Sequence, residues 1–276
     1  MAPSVELPLV DVKTISKTYH RKGDKAGAGH KALKDVSFVM DRPERIALIG
    51  PSGSGKSTLL RSISGLILTD KTEGCVTVLG RTVQSGGRLG PQVRLARSTM
   101  GMIAQQFNLV GRLSLFTNVA LGLLGKISPV RGLFGLWHAD EKQKIMRALH
   151  HVGVAPMAAQ RANTLSGGQQ QRGAIARAIV QDAQLVLADE PVASLDPVTA
   201  RKVMKLLVEL NERNHVGVIV TLHQVDYAKT YCTRILALKD GQIVYDGPST
   251  GLSDDLLREI YGAEIEDAYW GDTHEA

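Results

Sequence analysis

The sequence predicts an α/β fold in which a parallel sheet is covered by helices. Two short apolar runs, Leu185–Ala188 and Val218–Leu222, have the continuous pattern of strands that are buried on both faces. A third run, Arg45–Ile49, leads through a glycine-rich turn into a helical segment that begins at Lys56. Because strands and helices alternate in this way, we expect helices to pack on a parallel sheet.

Short strands are also expected in the first part of the chain. Turn residues at their edges and apolar side chains predict them at Leu9–Ile15, Val36–Met40 and Cys75–Leu79. The stretch 21–31 between the first two is rich in glycine and basic residues and is expected to be a solvated loop. We therefore predict an antiparallel β subdomain beside the parallel sheet.

Residues 106–180 differ from the rest because they lack strand alternation. A helix that ends at Gly153 is marked by apolar residues at helical spacing, Ile145, Leu149 and Val152. This range is predicted to be an α-helical subdomain within one domain that covers residues 9–262. Residues 263–276 are expected to form an exposed C-terminal tail.

Composition sets limits on the compartment and the partners. With two cysteines among 276 residues, Cys75 and Cys232 cannot form a disulfide framework; we expect both to be buried and the compartment to be reducing. No secretory leader and no stretch of about 18 apolar residues is found, so work at a membrane would need other chains. A net charge of +6 admits nucleic acid, an anionic surface or a phosphorylated ligand.

A phosphate-binding loop follows the strand Arg45–Ile49. The pattern G-x-x-x-x-G-K-[ST] is matched by Gly50, Pro51, Ser52, Gly53, Ser54, Gly55, Lys56 and Ser57. Backbone N–H groups and the helix N-terminus are suited to phosphate oxygens, and Lys56 would reach the terminal phosphates. Ser57 would supply a hydroxyl to Mg²⁺, and Thr58 completes the predicted nucleotide-binding set.

Two adjacent carboxylates follow the strand Leu185–Ala188. At the carboxyl edge of a parallel sheet, Asp189 is predicted to lie near the metal and Glu190 near the water that attacks the γ-phosphate. The alternative is that the two acids only end a strand. The phosphate-binding loop favours the catalytic interpretation.

The most specific feature of the chain precedes the acidic pair by twenty residues, and it is formed by Leu165, Ser166, Gly167, Gly168 and Gln169. Ser166 can cap a helix, and the two glycines allow N–H groups to approach a phosphate. The stretch resembles the signature motif of ATP-binding cassette (ABC) ATPases. The resemblance implies an ABC cassette with a P-loop NTPase core, in which a homodimer holds two ATP molecules between its subunits.

Four further residues match motifs of that family. Tyr19 resembles the aromatic residue that stacks on adenine, and Gln105 resembles the glutamine that senses Mg²⁺ and the membrane partner. Asp196 resembles a residue of the loop that crosses the dimer interface, and it is equally readable as a helix cap. His223 resembles the histidine that contacts the γ-phosphate and orients Glu190. Without the family, Tyr19 would be read as core and His223 as structural.

Within the family, several stretches are similar to the ATPase subunits of phosphonate importers: Phe107–Val110, Arg131–Leu136, Gln160–Ala162, Ala188–Pro197 and Leu222–Ala228. This resemblance implies ATP and Mg²⁺ as cofactors and peripheral attachment to the cytoplasmic face of the inner membrane. Its implied partners are permease subunits and, indirectly, a periplasmic or lipid-anchored phosphonate-binding protein. Phosphite and phosphate remain possible solutes.

Two residues depart from the family pattern. Gly173 stands where a larger apolar residue is usual and, as a helical glycine, is expected to cost up to about 1 kcal/mol relative to alanine. Asp182 stands where asparagine is common. Neither is expected to touch the nucleotide.

Other functions are kept as alternatives. The chain could serve another class of importer, act on nucleic acid as some ABC ATPases do, or bind nucleotide without turnover; we expect no nucleic acid partner. A surface that couples to the membrane subunits is expected near Gln105 and the apolar residues Val130, Leu133, Phe134, Leu136 and Trp137. The alternative is that these apolar residues form the core of the helical subdomain.

Overall fold

The computed structural model describes residues 7–20 and 29–262. Its strands are β1 (Val10–Tyr19), β2 (His30–Met40), β3 (Arg45–Ile49), β4 (Cys75–Val78), β5 (Arg81–Ser85), β6 (Arg88–Leu89), β7 (Met100–Ile103), β8 (Leu185–Ala188), β9 (Gly217–Thr221), β10 (Arg234–Lys239) and β11 (Gln242–Pro248). Its α-helices are α1 (Lys56–Ile63), α2 (Val93–Ser98), α3 (Leu115–Ala120), α4 (Pro129–Phe134), α5 (Ala139–His151), α6 (Gly167–Val180), α7 (Pro197–Asn214), α8 (Val225–Tyr231) and α9 (Asp254–Tyr261).

The chain divides into two compact units. One contains the described residues up to 96 and from 217 onward, and the other is Arg97–Val216. The predicted tail 263–276 and residues 21–28 of the predicted loop lie outside the described residues. His30 and Lys31 pair with β1 as part of β2, so the loop prediction was wrong at that end.

The first unit contains two groups of hydrogen-bonded strands. An antiparallel sheet has the order β2, β1, β4, β5, β6, and it includes all three strands predicted for this region. In the other group, β3 pairs in parallel with both β10 and β9. Four of the five side chains of β3 and all five of β9 are buried, as expected for strands covered on both faces. The turn after β3 therefore starts from a rigid support.

In the second unit, β7 and β8 pair in parallel, and all four residues of β8 are buried. Described elements between residues 115 and 180 are helical. The predicted helix that ends near Gly153 is α5, whose buried residues are Ile145, Ala148 and Leu149. Asp196 caps α7 with Pro197 at the first helical position, as predicted. The acidic pair after β8 is thus fixed by a buried strand.

Gly173 has a packing role that could not be predicted from its place in the sequence. It lies in the buried face of α6, and a Cβ atom there would be 2.5 Å from Leu115 Cδ1 of α3. Leu115 is fully buried, so its side chain has little room to move. Glycine is needed at position 173 because the side chain of Leu115 occupies the space that a larger residue there would fill.

We expect Gly173→Leu to destabilise the protein by about 1–3 kcal/mol, because overpacking forces side chains away from their preferred rotamers. Leu115→Ala alone should cost about 2–5 kcal/mol through the cavity that it leaves. In the double variant the new leucine fills that cavity, so the two costs should not add. Urea unfolding of all three variants measures this coupling, and strictly additive costs would contradict the packing argument.

Asp182, the other departure, accepts from two lysines. The ammonium groups of Lys126 and Lys144 lie 2.6 and 2.5 Å from Asp182 Oδ2. Asp182 itself has a φ of 50°, a left-handed conformation that aspartate and asparagine tolerate better than most residues. The carboxylate thus joins the end of α6 to two other segments of the second unit.

The two cysteines differ in burial. Cys232 is buried, which raises the pKa of its thiol to about 12. Cys75 is only half-buried, so the prediction that it is buried was wrong.

Among the described residues, the helices fall short of the length and apolar character that a bilayer crossing requires.

Candidate nucleotide-binding site

The predicted phosphate-binding loop connects β3 to α1 in the first unit. Its backbone depends on glycines: Gly50 has a φ of 138° and Gly55 a φ of 106°, which side chains rarely adopt. A Cβ atom at Gly50 would lie 2.0 Å from the carbonyl oxygen of Leu238, and one at Gly55 would lie 2.4 Å from that of Ala32. The loop can therefore turn tightly around a ligand only without these side chains.

Lys56 is the first residue of α1, and only 5% of its surface is exposed. Its ammonium group donates to the carbonyl oxygens of Gly50, at 2.6 Å, and Pro51, at 3.0 Å. The first turn of α1 contains no acidic residue, and Ser57 and Thr58 follow there as half-buried side chains. A buried cation, a helix N-terminus and open N–H groups together suit a phosphate chain.

The loop is also held from outside. The N–H of Gly241, in the turn between β10 and β11, donates to the carbonyl oxygen of Ser54 at 3.1 Å. The N–H of Gly50 donates to the hydroxyl oxygen of Tyr261, in α9, at 2.9 Å. Ser54 is buried, and its hydroxyl oxygen has no hydrogen-bond partner among the residues that the structure describes. Sequence motifs predicted the loop but neither of these external ties.

Two other predicted residues belong to the first unit. Tyr19 ends β1 with 41% of its surface exposed, and the ammonium group of Lys17 lies 5.3 Å from its ring centroid. The interpretation of Tyr19 as a core residue was therefore wrong. His223 follows β9 and is exposed, so its imidazole is accessible to a ligand.

The acidic pair belongs to the second unit. Asp189 is 1% exposed, and its N–H donates to the carbonyl oxygen of Ile103 at 2.8 Å, which continues the pairing of β7 and β8. Glu190 is half-buried and has a φ of 49°. A left-handed glutamate costs conformational energy, and such strain concentrates at functional sites. This conformation could not be read from the sequence.

The signature motif begins α6. The N-cap is Ser166, whose hydroxyl accepts from the N–H of Gln169 at 3.4 Å, while the Gln169 side chain accepts from the N–H of Ser166 at 2.8 Å. This reciprocal capping box confirms the predicted helix cap. A Cβ atom at Gly168 would lie 2.3 Å from Cγ2 of Thr199, so this glycine also allows α6 to pack against α7.

Gln105 is exposed in the loop that follows β7. Phe107 and Asn108, just beyond it, have φ values of 60° and 48°. Arg177 of α6 donates to the carbonyl oxygen of Asn108 at 2.8 Å and to that of Met102 at 3.4 Å. Arg177 was not predicted from the sequence, although an arginine among the small and apolar residues of the second half of α6 was a usable signal.

Burial lowers the pKa of the Arg177 guanidinium. The group still carries its charge at neutral pH, because arginine begins from so high a pKa. A charged donor among backbone carbonyls makes stronger hydrogen bonds than a neutral one. Arg177 therefore fixes both ends of the Gln105 loop to the helix that carries the signature motif.

Asp196 acts as the N-cap of α7. Its carboxylate accepts from the N–H groups of Val198 and Thr199, each at 3.0 Å. Hydrogen bonds from Thr199, followed by those from other backbone groups, lower the pKa of the carboxyl. The capping role is confirmed, and the role at a dimer interface stays a prediction.

The apolar residues around α4 lie at the surface. Leu133 is 81% exposed, and Val130, Phe134 and Leu136 are also exposed, while Trp137 is half-buried. These residues, called the α4 patch below, do not form the core of the helical region. That alternative was wrong, and the patch is available for contact with another molecule.

The loop, the acidic pair and the signature helix define a class of protein, the ATPases of the P-loop type that carry an ABC signature. The model of the ABC transporter family matches residues 33–193 of this chain. The chain belongs to the ABC transporter family and is an ATP-hydrolysing subunit of it.

Curated relatives match nearly the whole chain. "Phosphonates import ATP-binding protein PhnC" of Caulobacter vibrioides is 59% identical over 263 residues, which cover 95% of this chain and 97% of that protein. The protein of the same name from Maricaulis maris is 59% identical over 241 residues, 87% of this chain and 91% of that one. The chain is similar to both of these proteins over most of their length.

A solved structure supports the fold. The dimeric, post-hydrolysis state of the ATP-binding cassette MJ0796, bound to ADP and Pi, superposes with a TM-score of 0.75 at 34% identity. The match covers 88% of this chain and all of that one. The predicted α/β ABC cassette is confirmed.

Proposed function

We propose that this chain hydrolyses ATP to drive the import of phosphonates across the inner membrane. The observation that carries the proposal is the 59% identity, over 95% of the chain, to a phosphonate import ATP-binding protein. The cradle of Gly50, Gly55 and the buried Lys56 supports it, because that cradle suits a nucleotide phosphate chain.

Each predicted residue has a distinct part in the proposed reaction. Lys56 and the loop N–H groups bind the phosphates, while Tyr19 offers an exposed ring on which adenine can stack. Glu190 holds the attacking water and accepts its proton, and His223 hydrogen-bonds the γ-phosphate. The left-handed backbone of Glu190 supports this assignment, since it orients the carboxylate at a conformational cost.

Mg²⁺ is the proposed metal cofactor. The donors assigned to it are the hydroxyl of Ser57, the carboxylate of Asp189 and the side-chain oxygen of Gln105, and oxygen is the ligand atom that Mg²⁺ prefers. When bound, the ion neutralises charge on the β- and γ-phosphates. Asp189 suits this role because it is almost fully buried at the end of a rigid strand, where its position is well defined.

Two copies of the chain are proposed to close on two ATP molecules. Ser166, Gly167 and Gly168 of one copy would contact the γ-phosphate held by Lys56 of the other, and Asp196 would lie near the interface. Ser166 is exposed and caps the N-terminus of α6, where the helix dipole favours negative charge, so this helix end suits an anion. ATP shared by two copies favours the closed state, because only that state makes both sets of contacts.

Permease subunits are the proposed membrane partners, at the cytoplasmic face. The α4 patch supports this, since exposed contiguous apolar side chains mark contact surfaces. Arg177 supplies a connection within the second unit from the Gln105 loop to the signature helix. Movement at Gln105 would therefore reach Ser166 through α6. A phosphonate-binding protein would deliver the solute to the permease.

Uptake in cells tests the proposal. We expect cells that lack this gene to lose uptake of radiolabelled 2-aminoethylphosphonate and to regain it with the wild-type gene. The Glu190→Gln variant, expressed at the same level, should fail to restore uptake because turnover drives transport. Parallel assays with phosphite and phosphate identify the solute; restoration of uptake for either of these but not for the phosphonate would overturn the proposed specificity.

A further inference from the structure

Helix α9 makes a buried contact with the first residue of the phosphate-binding loop. The N–H of Gly50 donates to the hydroxyl oxygen of Tyr261 at 2.9 Å, across 211 positions in the chain. Tyr261 is 7% exposed, and its neighbours Leu257 and Ile260 are fully buried. No motif of the phosphate-binding loop includes this residue.

The hydrogen bond meets a need of the backbone. Parallel pairing of β3 with β10 ends at Ile49, so the N–H of Gly50 is the first one beyond that ladder. A buried N–H without an acceptor is strongly unfavourable. The Tyr261 hydroxyl supplies the acceptor at the point where the strand gives way to the loop.

Gly50 connects Tyr261 to the catalytic lysine. Its N–H is bound by Tyr261, and its carbonyl oxygen accepts from the Lys56 ammonium group at 2.6 Å. Glycine adopts more backbone conformations than any other residue, so the hydrogen bond to Tyr261 supplies a restraint on Gly50 that a side chain of its own does not. The Tyr261 hydroxyl therefore restricts the peptide group between Ile49 and Gly50. The next peptide group, between Gly50 and Pro51, carries the carbonyl oxygen that accepts from Lys56.

Helix α9 is itself well placed to act as a support. The hydroxyl of Ser253 accepts from the N–H of Leu256 as an N-cap, and Asp254 and Asp255 lie in the first turn, where the helix dipole favours acidic groups. At the other end, the Lys239 ammonium group of β10 donates to the carbonyl oxygen of Glu259. The helix is thus attached to the strand that neighbours β3.

We infer that Tyr261 is a positioning residue for ATP, which holds the phosphate-binding loop in the conformation that receives the phosphates. It acts through Gly50 and touches no reacting atom. Without the Tyr261 hydroxyl, the loop occupies this conformation for a smaller fraction of the time. The apparent affinity for ATP falls in proportion to that occupied fraction. The inference rests on the ATPase activity of the chain and adds a residue of α9 to it.

Tyr261→Phe tests the inference, because the ring is kept and the hydroxyl that accepts from Gly50 is lost. In steady-state hydrolysis by the full-length protein, we expect KM for ATP to rise about tenfold, which corresponds to about 1.4 kcal/mol. The kcat should stay within about twofold, since saturating ATP restores the loop. Isothermal titration with ATP should give a matching loss of affinity.

Tyr245→Phe is the matched control. The Tyr245 hydroxyl donates to the carbonyl oxygen of Pro248 at the end of β11, in the same unit, so KM and kcat should both stay within about twofold of wild type. Lys239→Met weakens the attachment of α9 and should raise KM in the same direction as Tyr261→Phe. If Tyr261→Phe does not fold, the KM of Lys239→Met shows whether α9 positions the loop.

The results separate this inference from the proposed function. An unchanged KM for Tyr261→Phe in an active, folded protein would overturn the positioning role, as would a loss of kcat at unchanged KM. Lower thermal stability with normal KM would reduce Tyr261 to a structural residue. Failure of the wild-type protein to bind ATP would instead contradict the ATPase function.

Discussion

Replacing Glu190 with glutamine is expected to lower ATP turnover by about two orders of magnitude or more while ATP binding persists. The amide has the shape of the carboxylate but cannot accept a proton from the attacking water. Glu190 does not carry the phosphates in the proposed mechanism, so the affinity for ATP should change little. Phosphate release and equilibrium binding, measured on the same preparation, separate the two effects.

Glu73→Gln provides the control for this experiment. Glu73 is exposed in the first unit and belongs to none of the predicted motifs, so removal of its charge should leave turnover within about twofold. Unchanged turnover in Glu190→Gln would remove Glu190 from the catalytic role. Equal losses in both variants would point to a general charge effect.

The same variant tests the proposed dimer. Since Glu190→Gln should retain bound ATP, the closed pair of subunits should accumulate and sediment as a dimer when MgATP is present. Without nucleotide, the same protein should sediment as a monomer, because the shared contacts to ATP are missing. A monomer under both conditions would count against the arrangement in which Ser166 contacts the ATP of the other copy.

The central strands were predictable because strands that are buried on both faces consist of consecutive apolar residues. β3 and β8 are continuous apolar runs, and their predicted bounds agree with the structure. β11 was not predicted, because its side chains alternate between half-buried and exposed and it ends in a proline. An edge strand of this kind gives a weak signal until its partner is known.

Site residues divide in the same way. The loop at Gly50 and the cap at Ser166 depend on neighbours a few positions away, so their motifs predict them. Tyr261 and Arg177 act across 211 and 69 positions, respectively, and only folding brings them to their targets. Gly173 was predicted only to cost helix stability, because nothing in the neighbouring sequence reveals that Leu115 occupies the space beside it.

Lys56→Ala is expected to reduce the affinity for ATP by about two orders of magnitude or more, which corresponds to roughly 2.8 kcal/mol. In the wild-type protein, the buried ammonium group of Lys56 lies at the start of α1 and donates to the carbonyl oxygens of Gly50 and Pro51. The alanine variant loses this group. Phosphate oxygens would meet the loop N–H groups without a compensating full charge. Isothermal titration with ATP measures the loss.

Two further variants show whether charge or geometry matters at this position. Lys71→Ala removes an exposed lysine of the same unit and should bind ATP like the wild type, since exposed charges contribute little. Lys56→Arg keeps the charge but places a planar, branched group in a buried space shaped for a compact ammonium, so it should recover only a small part of the affinity. Wild-type affinity in Lys56→Ala would mean that the loop N–H groups and the helix N-terminus suffice for the phosphates, and the lysine would then serve only to tie the loop together.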